Sequence, residues 1–194
     1  VRKYDVNIEN GNVYVDISDP SIDQIKKSIY KGLKTAFKER QYGRISREIA
    51  RLQFNNLDPI NAIKVCILWS FDRFEYGMTH AYAACADWLT LYNRFNSSKN
   101  SNQENQIICL TEAIDHISND SLRHSKYPYH TNEIPYNKGQ LLNAIEKENE
   151  VESISIINGA IKEGMSYSDL EGSLAEAALA HYNSFGHALI YVYK

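Results

Sequence analysis

Two short stretches of this chain set a histidine beside a glycine and an aromatic ring: Phe74-Glu75-Tyr76-Gly77-Met78-Thr79-His80-Ala81 and Tyr182-Asn183-Ser184-Phe185-Gly186-His187-Ala188, with the histidines 107 positions apart. Imidazoles titrate near neutrality and ligate transition metals, so such a pair suits either metal binding or acid–base chemistry. A glycine costs about 1 kcal/mol relative to alanine inside a helix, and its recurrence beside each histidine suggests close backbone approach or a helix break. At about 100° per residue, Tyr76, His80 and Asp87 share one stripe of an unbroken helix, and Glu176, Asn183 and His187 share another. A polar stripe on an apolar helix is costly to bury unless its members are paired or bind something. Three readings stay open: a stripe that faces solvent or is satisfied by internal hydrogen bonds, a metal site, and a metal-free pocket with histidine as acid or base.

The other residues suited to chemistry are less ordered. Tyr76, Tyr82, Tyr182, Tyr191 and Tyr193 gather near the repeated segments, where a phenol packs its ring and offers one hydrogen bond. Helical di-metal sites use Glu-x-x-His, which is absent around His80 and His187. His181 and His187 are six residues apart and converge on one ion only if the helix bends at Gly186. His116, His124 and His130 lie in or near a polar stretch and read as exposed, with His130 beside Tyr127 and Tyr129 placed to close over a pocket mouth. The sequence contains no nucleophile elbow, phosphate-binding glycine loop, dinucleotide fingerprint or zinc-protease helix.

The elements that must position these groups are mostly helical. With 194 residues, 43% of them hydrophobic and 23% charged, the chain can bury a sizeable core. A net charge of −3 without a contiguous Lys/Arg block argues against a nucleic-acid surface, and no apolar run reaches membrane-spanning length. Cys66, Cys85 and Cys109 are odd in number and widely spaced, which suits reduced, buried thiols in a soluble cytoplasmic protein.

Residues 1–19 carry a hairpin signature: Tyr4, Val6 and Ile8 alternate with polar residues, Asn10-Gly11 supplies the turn, and Val13, Val15 and Ile17 alternate again. An isolated hairpin is marginal in water, so partner strands are expected upstream or on another chain, or else helices that cover it. Residues 20–194 read as one helical domain. Ser18 or Asp19 is expected to cap a helix with Pro20 in its first turn. A second helix is expected over 45–54 and a third from Asp58-Pro59 to about Gly77, continuing over 78–95 straight or bent. A polar Ser/Asn-rich loop over 96–105 follows, then helices over 107–122, 141–147, 150–163 and from 168 to the end, with an extended excursion over 127–139. The fold class is mainly α, a multi-helix array preceded by a β-hairpin. Helix, turn, capped helix and aromatic-Gly-His-Ala occur in the same order in both halves, which suggests an internal duplication bringing His80 and His187 to one shared space.

The hairpin run Tyr4-Asp5-Val6-Asn7-Ile8-Glu9-Asn10-Gly11-Asn12-Val13-Tyr14-Val15 resembles the closing hairpin of a Rieske-type iron–sulfur domain over about a tenth of the chain. Residues 72–81 and 174–191 resemble the helical domain that follows such domains in some bacterial proteins, itself distantly similar to questin-oxidase-like proteins. The resemblance implies that residues 1–19 are the end of an upstream Rieske domain and that the helical domain is cut at its C-terminus. It also implies an oxidoreductase in which a [2Fe-2S] cluster passes electrons toward a small-molecule substrate, or an iron, near His80 and His187. Tyr76 and Tyr191 would wall that pocket, Glu75, Asp87 and Glu176 would orient the histidines, and His181 would be a further metal ligand. The Cys-x-His and Cys-x-x-His pairs of a Rieske cluster are absent, so the ligands would precede Val1. The competing class is a non-catalytic helical interaction module, and the oligomeric state is left open.

Overall fold

The computed structural model describes residues 4–73, 80–97, 102–121, 125–180 and 187–193, the side chains of His187 and Tyr191 excepted. Strands β1 (Val6–Glu9) and β2 (Asn12–Val15) pair antiparallel, Val6 opposite Val15 and Ile8 opposite Val13. Asn10 and Gly11 both have positive φ, 52° and 79°, as a two-residue turn matched to strand twist requires. The period of two places Val6, Ile8, Val13 and Val15 on one face, as expected. These side chains are nevertheless 48–69% exposed, and β1 and β2 are the whole sheet among the described residues.

Nine helices follow among the described residues: α1 (Ile22–Lys38), α2 (Tyr42–Phe54), α3 (Ile60–Ser70), α4 (His80–Ser97), α5 (Gln103–Asp120), α6 (Lys138–Glu146), α7 (Glu150–Lys162), α8 (Tyr167–Ala180) and α9 (His187–Tyr193). The mainly α class with an N-terminal hairpin is therefore what forms. The first cap differs from expectation. Ser21, not Ser18 or Asp19, closes a reciprocal capping box with Gln24, which satisfies two backbone N–H groups at once. Asp58 does serve the third helix, its Oδ1 accepting from the Ile60 N–H at 3.0 Å. The polar stretch over 96–105 is narrower than expected, because Ser97 bonds back to the Asn93 carbonyl within α4 and Asn102 caps α5 through the Asn105 N–H.

Two long expected helices are corrected. The third ends at Ser70 rather than near Gly77. Ser70 turns its hydroxyl onto the Cys66 carbonyl at 2.8 Å, and the chain leaves the helix so that Asp72 can accept the Tyr127 N–H on its carbonyl and Lys126 on its carboxylate. The helix expected from 168 to the end is two helices. α9 packs back on α8, and the Tyr167 hydroxyl donates to the Val192 carbonyl, a pair that one straight helix would hold about 37 Å apart.

The helices form two bodies. In α1–α5, eighteen buried side chains make one core around α5, which touches all four of its companions. α6 and α7 enclose a cluster of Leu141, Ala144 and Ile156, α8 packs on α6, and α9 packs on α8. Residues 125–137 run between the bodies as an extended strap, with the Ile134 N–H donating to the Ser155 carbonyl at 2.9 Å. The strap crosses α7 at Gly159, where a Cβ would lie 1.8 Å from the Ile134 carbonyl oxygen, so only glycine admits that crossing. Within the first body, Glu48 is buried to 1% and held by Arg47 at 2.8 Å and Arg51 at 2.6 Å. Gly32 of α1 leaves the room, since a Cβ there would come within 2.7 Å of the Glu48 carboxylate.

Candidate functional site

The histidine segments are reached from two helix ends. His80 is the first residue of α4 and is exposed, as is Asp87 seven residues later on the same face, so this half of the first stripe faces solvent. Tyr76 and Glu75 lie outside the described residues, as do His181, Tyr182 and Asn183. His187 opens α9, but its side chain, like that of Tyr191, is outside the description. The second stripe does not exist as one helical face: Glu176 is on α8 and His187 on α9, which folds back along it. Glu176 is half exposed and its carboxylate lies 2.6 Å from Lys138 Nζ, a pairing that raises the lysine pKa. It borders a shallow depression of about 300 Å³ with Leu142, Ile145 and Ala180.

Among the described residues no three His, Cys, Asp or Glu side chains are grouped to share a metal ion. Nor do the cysteines supply ligands for an iron–sulfur cluster. Cys66, Cys85 and Cys109 are free thiols inside the large core, on α3, α4 and α5. Burial pushes Cys85 up to about 11 and Cys66 well above its ordinary value, which keeps them protonated and poor nucleophiles. The nearby Tyr82 phenol, 3.0 Å from Ser70 Oγ, is likewise pushed up to about 12, chiefly by burial.

Two polar groupings escaped the sequence reading. Tyr42 donates to Glu112 Oε1 at 2.6 Å, and His116 Nε2 sits 4.0 Å from the other oxygen of the same carboxylate, with Trp88 at its ring edge. The hydrogen bond to Glu112 pushes the Tyr42 phenol up to about 12. Glu112 and His116 are four apart on α5, which was readable; Tyr42 is not, because it arrives from α2. His130 and Tyr129 border a wide depression of about 550 Å³ over α7, where Asn158 donates to the His130 and Asn132 carbonyls. Tyr127 meets Tyr129 edge-on at 4.7 Å, so the tyrosines expected around His130 do gather, on an open surface.

The second grouping is a cleft of about 360 Å³ beside α1 and the end of α3, lined by Lys34, Phe37, Lys38, Leu68, Trp69, Arg73 and Lys126. Its floor is apolar: Phe37 and Trp69 rings are 6.0 Å apart, and Leu68 is 68% exposed beside them. Its rim is cationic. Lys34 Nζ stands 5.4 Å above the Trp69 ring, a cation–π distance, and Lys126 pairs with Asp72 at 2.7 Å. Lys38 and Arg73 form no ion pair among the described residues. Lys34 and Lys38 continue a stripe with Lys27 and Lys31, at spacings of four, three and four residues, all exposed along one face of α1. That spacing was legible in the sequence; a search for contiguous basic blocks passes over it.

No family model matches the sequence, and neither the curated proteins nor the solved structures give a significant match.

Proposed function

We propose that this chain acts by binding, as a helical interaction module whose basic cleft receives a carboxylate-rich segment of a partner protein. One observation carries the reading: Lys34, Lys38, Arg73 and Lys126 converge on an apolar floor with Asp72 as the partnering carboxylate, in a chain whose net charge is −3. The division of labour follows from the chemistry. Burying an apolar side chain against Trp69 and Leu68 supplies affinity, while the cations steer approach and fix register. The test is a titration with a labelled Glu-rich peptide containing one aliphatic residue, followed by anisotropy. Binding should weaken several-fold in Lys34→Gln/Lys38→Gln and fall with added salt. Equal affinity in the variant, or indifference to salt, would sink the reading.

A second reading, the Rieske-linked oxidoreductase, is favoured by the hairpin, whose uncovered apolar face suits the end of a larger sheet. In that reading substrate or iron would sit near His80 and His187. Its test is the transition-metal content of the folded chain after gel filtration. About one equivalent of iron, lost in His80→Ala or His187→Ala, would support it; a metal-free folded sample would remove the iron site.

A further inference from the structure

Opposite charge is concentrated at two separate places in this molecule. Residues 20–54, which make α1 and α2, hold nine Lys/Arg against three Asp/Glu, whereas residues 133–180 hold three against nine. The acidic excess peaks at the turn between α6 and α7, where Glu146, Glu148, Glu150 and Glu152 fall within seven residues and Lys147 is the single cation. Glu148 and Glu150 are exposed and make no ion pair among the described residues, and Val151 beside them is 44% exposed. The turn is stiff. Glu148 holds φ at +54°, the Asn149 N–H reaches the Ala144 carbonyl at 2.9 Å, and the Asn149 side chain caps α7 through the Glu152 N–H. It therefore presents two carboxylates around one aliphatic side chain with little conformational entropy left to lose.

These are the features that the basic cleft lacks: negative charge for Lys34, Lys38 and Arg73, and an aliphatic group for the Trp69 floor. We propose that the partner of the cleft is a second copy of this chain, whose α6–α7 turn docks into it head to tail. The inference rests on the binding reading above and names its occupant. A head-to-tail contact of this kind is heterologous, and each docked pair keeps one free turn and one free cleft at its ends. Association thus continues into rings or open chains instead of stopping at two.

The experiment is sedimentation velocity of the full chain over a concentration series, at about 0.05 M and about 0.5 M salt, between which exposed charge pairs become screened. The mean mass should rise with concentration and fall at high salt. Lys34→Gln/Lys38→Gln and Glu148→Gln/Glu150→Gln should each weaken self-association roughly tenfold, with unchanged helical circular dichroism. An equimolar mixture of the two variants should form dimers and nothing larger, because it contains one intact cleft and one intact turn per pair. Wild-type protein that stays monomeric yet binds the Glu-rich peptide overturns the self-docking proposal and leaves the binding reading standing; loss of both ends both. Self-association unchanged in either variant also overturns it, moving the contact to another surface such as the hairpin face. Monomeric protein that binds phosphatidylserine vesicles through Lys34 and Lys38 overturns it in favour of a membrane surface.

Discussion

The two helical bodies are held together by different means. α1–α5 bury aliphatic and aromatic side chains on every helix around α5, while α6–α9 rely on a three-residue cluster, the alanines of α8 and the strap laid across α7. The charges divide along the same line, basic on α1 and α2 and acidic on the α6–α8 side. A body with a deep core can carry a crowded cationic face, since self-repulsion is small beside the burial that opposes it. The shallower body is stabilised more by particular contacts, so single losses there should open it locally before the whole chain unfolds.

The largest expected effect is at the centre of the larger body. Ile114→Ala on α5 should cost the larger body about 2–5 kcal/mol, measured by urea unfolding. Next comes Gly159→Ala. Its methyl has no room beside the Ile134 carbonyl, so a loss of about 1–3 kcal/mol is expected, with hydrogen exchange accelerated in α6 and α7 and unchanged in α5. Equal acceleration in α5 would show that the two bodies unfold as one. Glu48→Gln keeps the volume but removes the buried charge that Arg47 and Arg51 hold, and should cost about 1–3 kcal/mol by thermal unfolding. Smallest is a titration effect. Tyr42 and Tyr82 both have folded-state values raised to about 12, so the stability they add is complete below pH 10 and is lost as the pH rises through 12. Ultraviolet difference titration should show a late phenol phase that shrinks by one tyrosine in Tyr42→Phe; an unchanged phase would place Tyr42 among the ordinary phenols.

Local signals carried most of the fold into view. Asn10-Gly11 fixed the hairpin turn, and the aliphatic spacing of α1 marked its buried face. What escaped was decided by partners distant in sequence. Nothing near Ser70 marks a helix end; the end is set by Asp72, whose contacts come from residues 126 and 127. The return of α9 along α8 likewise depends on tertiary packing, since residues 187–193 read as helix in either arrangement. For the site, the histidine repeat was conspicuous by motif, but most of its members lie outside the described residues, and His80 is exposed. The cleft was hidden for the opposite reason. Its lining comes from α1, from the end of α3 and from residue 126, and no single window of sequence contains it.

The strap also bears on which length changes this chain can tolerate. Connecting segments usually accept inserted or deleted residues freely, because one end can drift. Here Tyr127 is bonded to Asp72 at one end and Ile134 to Ser155 at the other, with an Ile134 carbonyl that must fall over Gly159. With both ends bonded, a residue removed or added between them would have to be absorbed without shifting the Ile134 peptide off Ser155 and Gly159. Substitutions between 128 and 133 should therefore be common among related sequences, and changes of length in that interval rare.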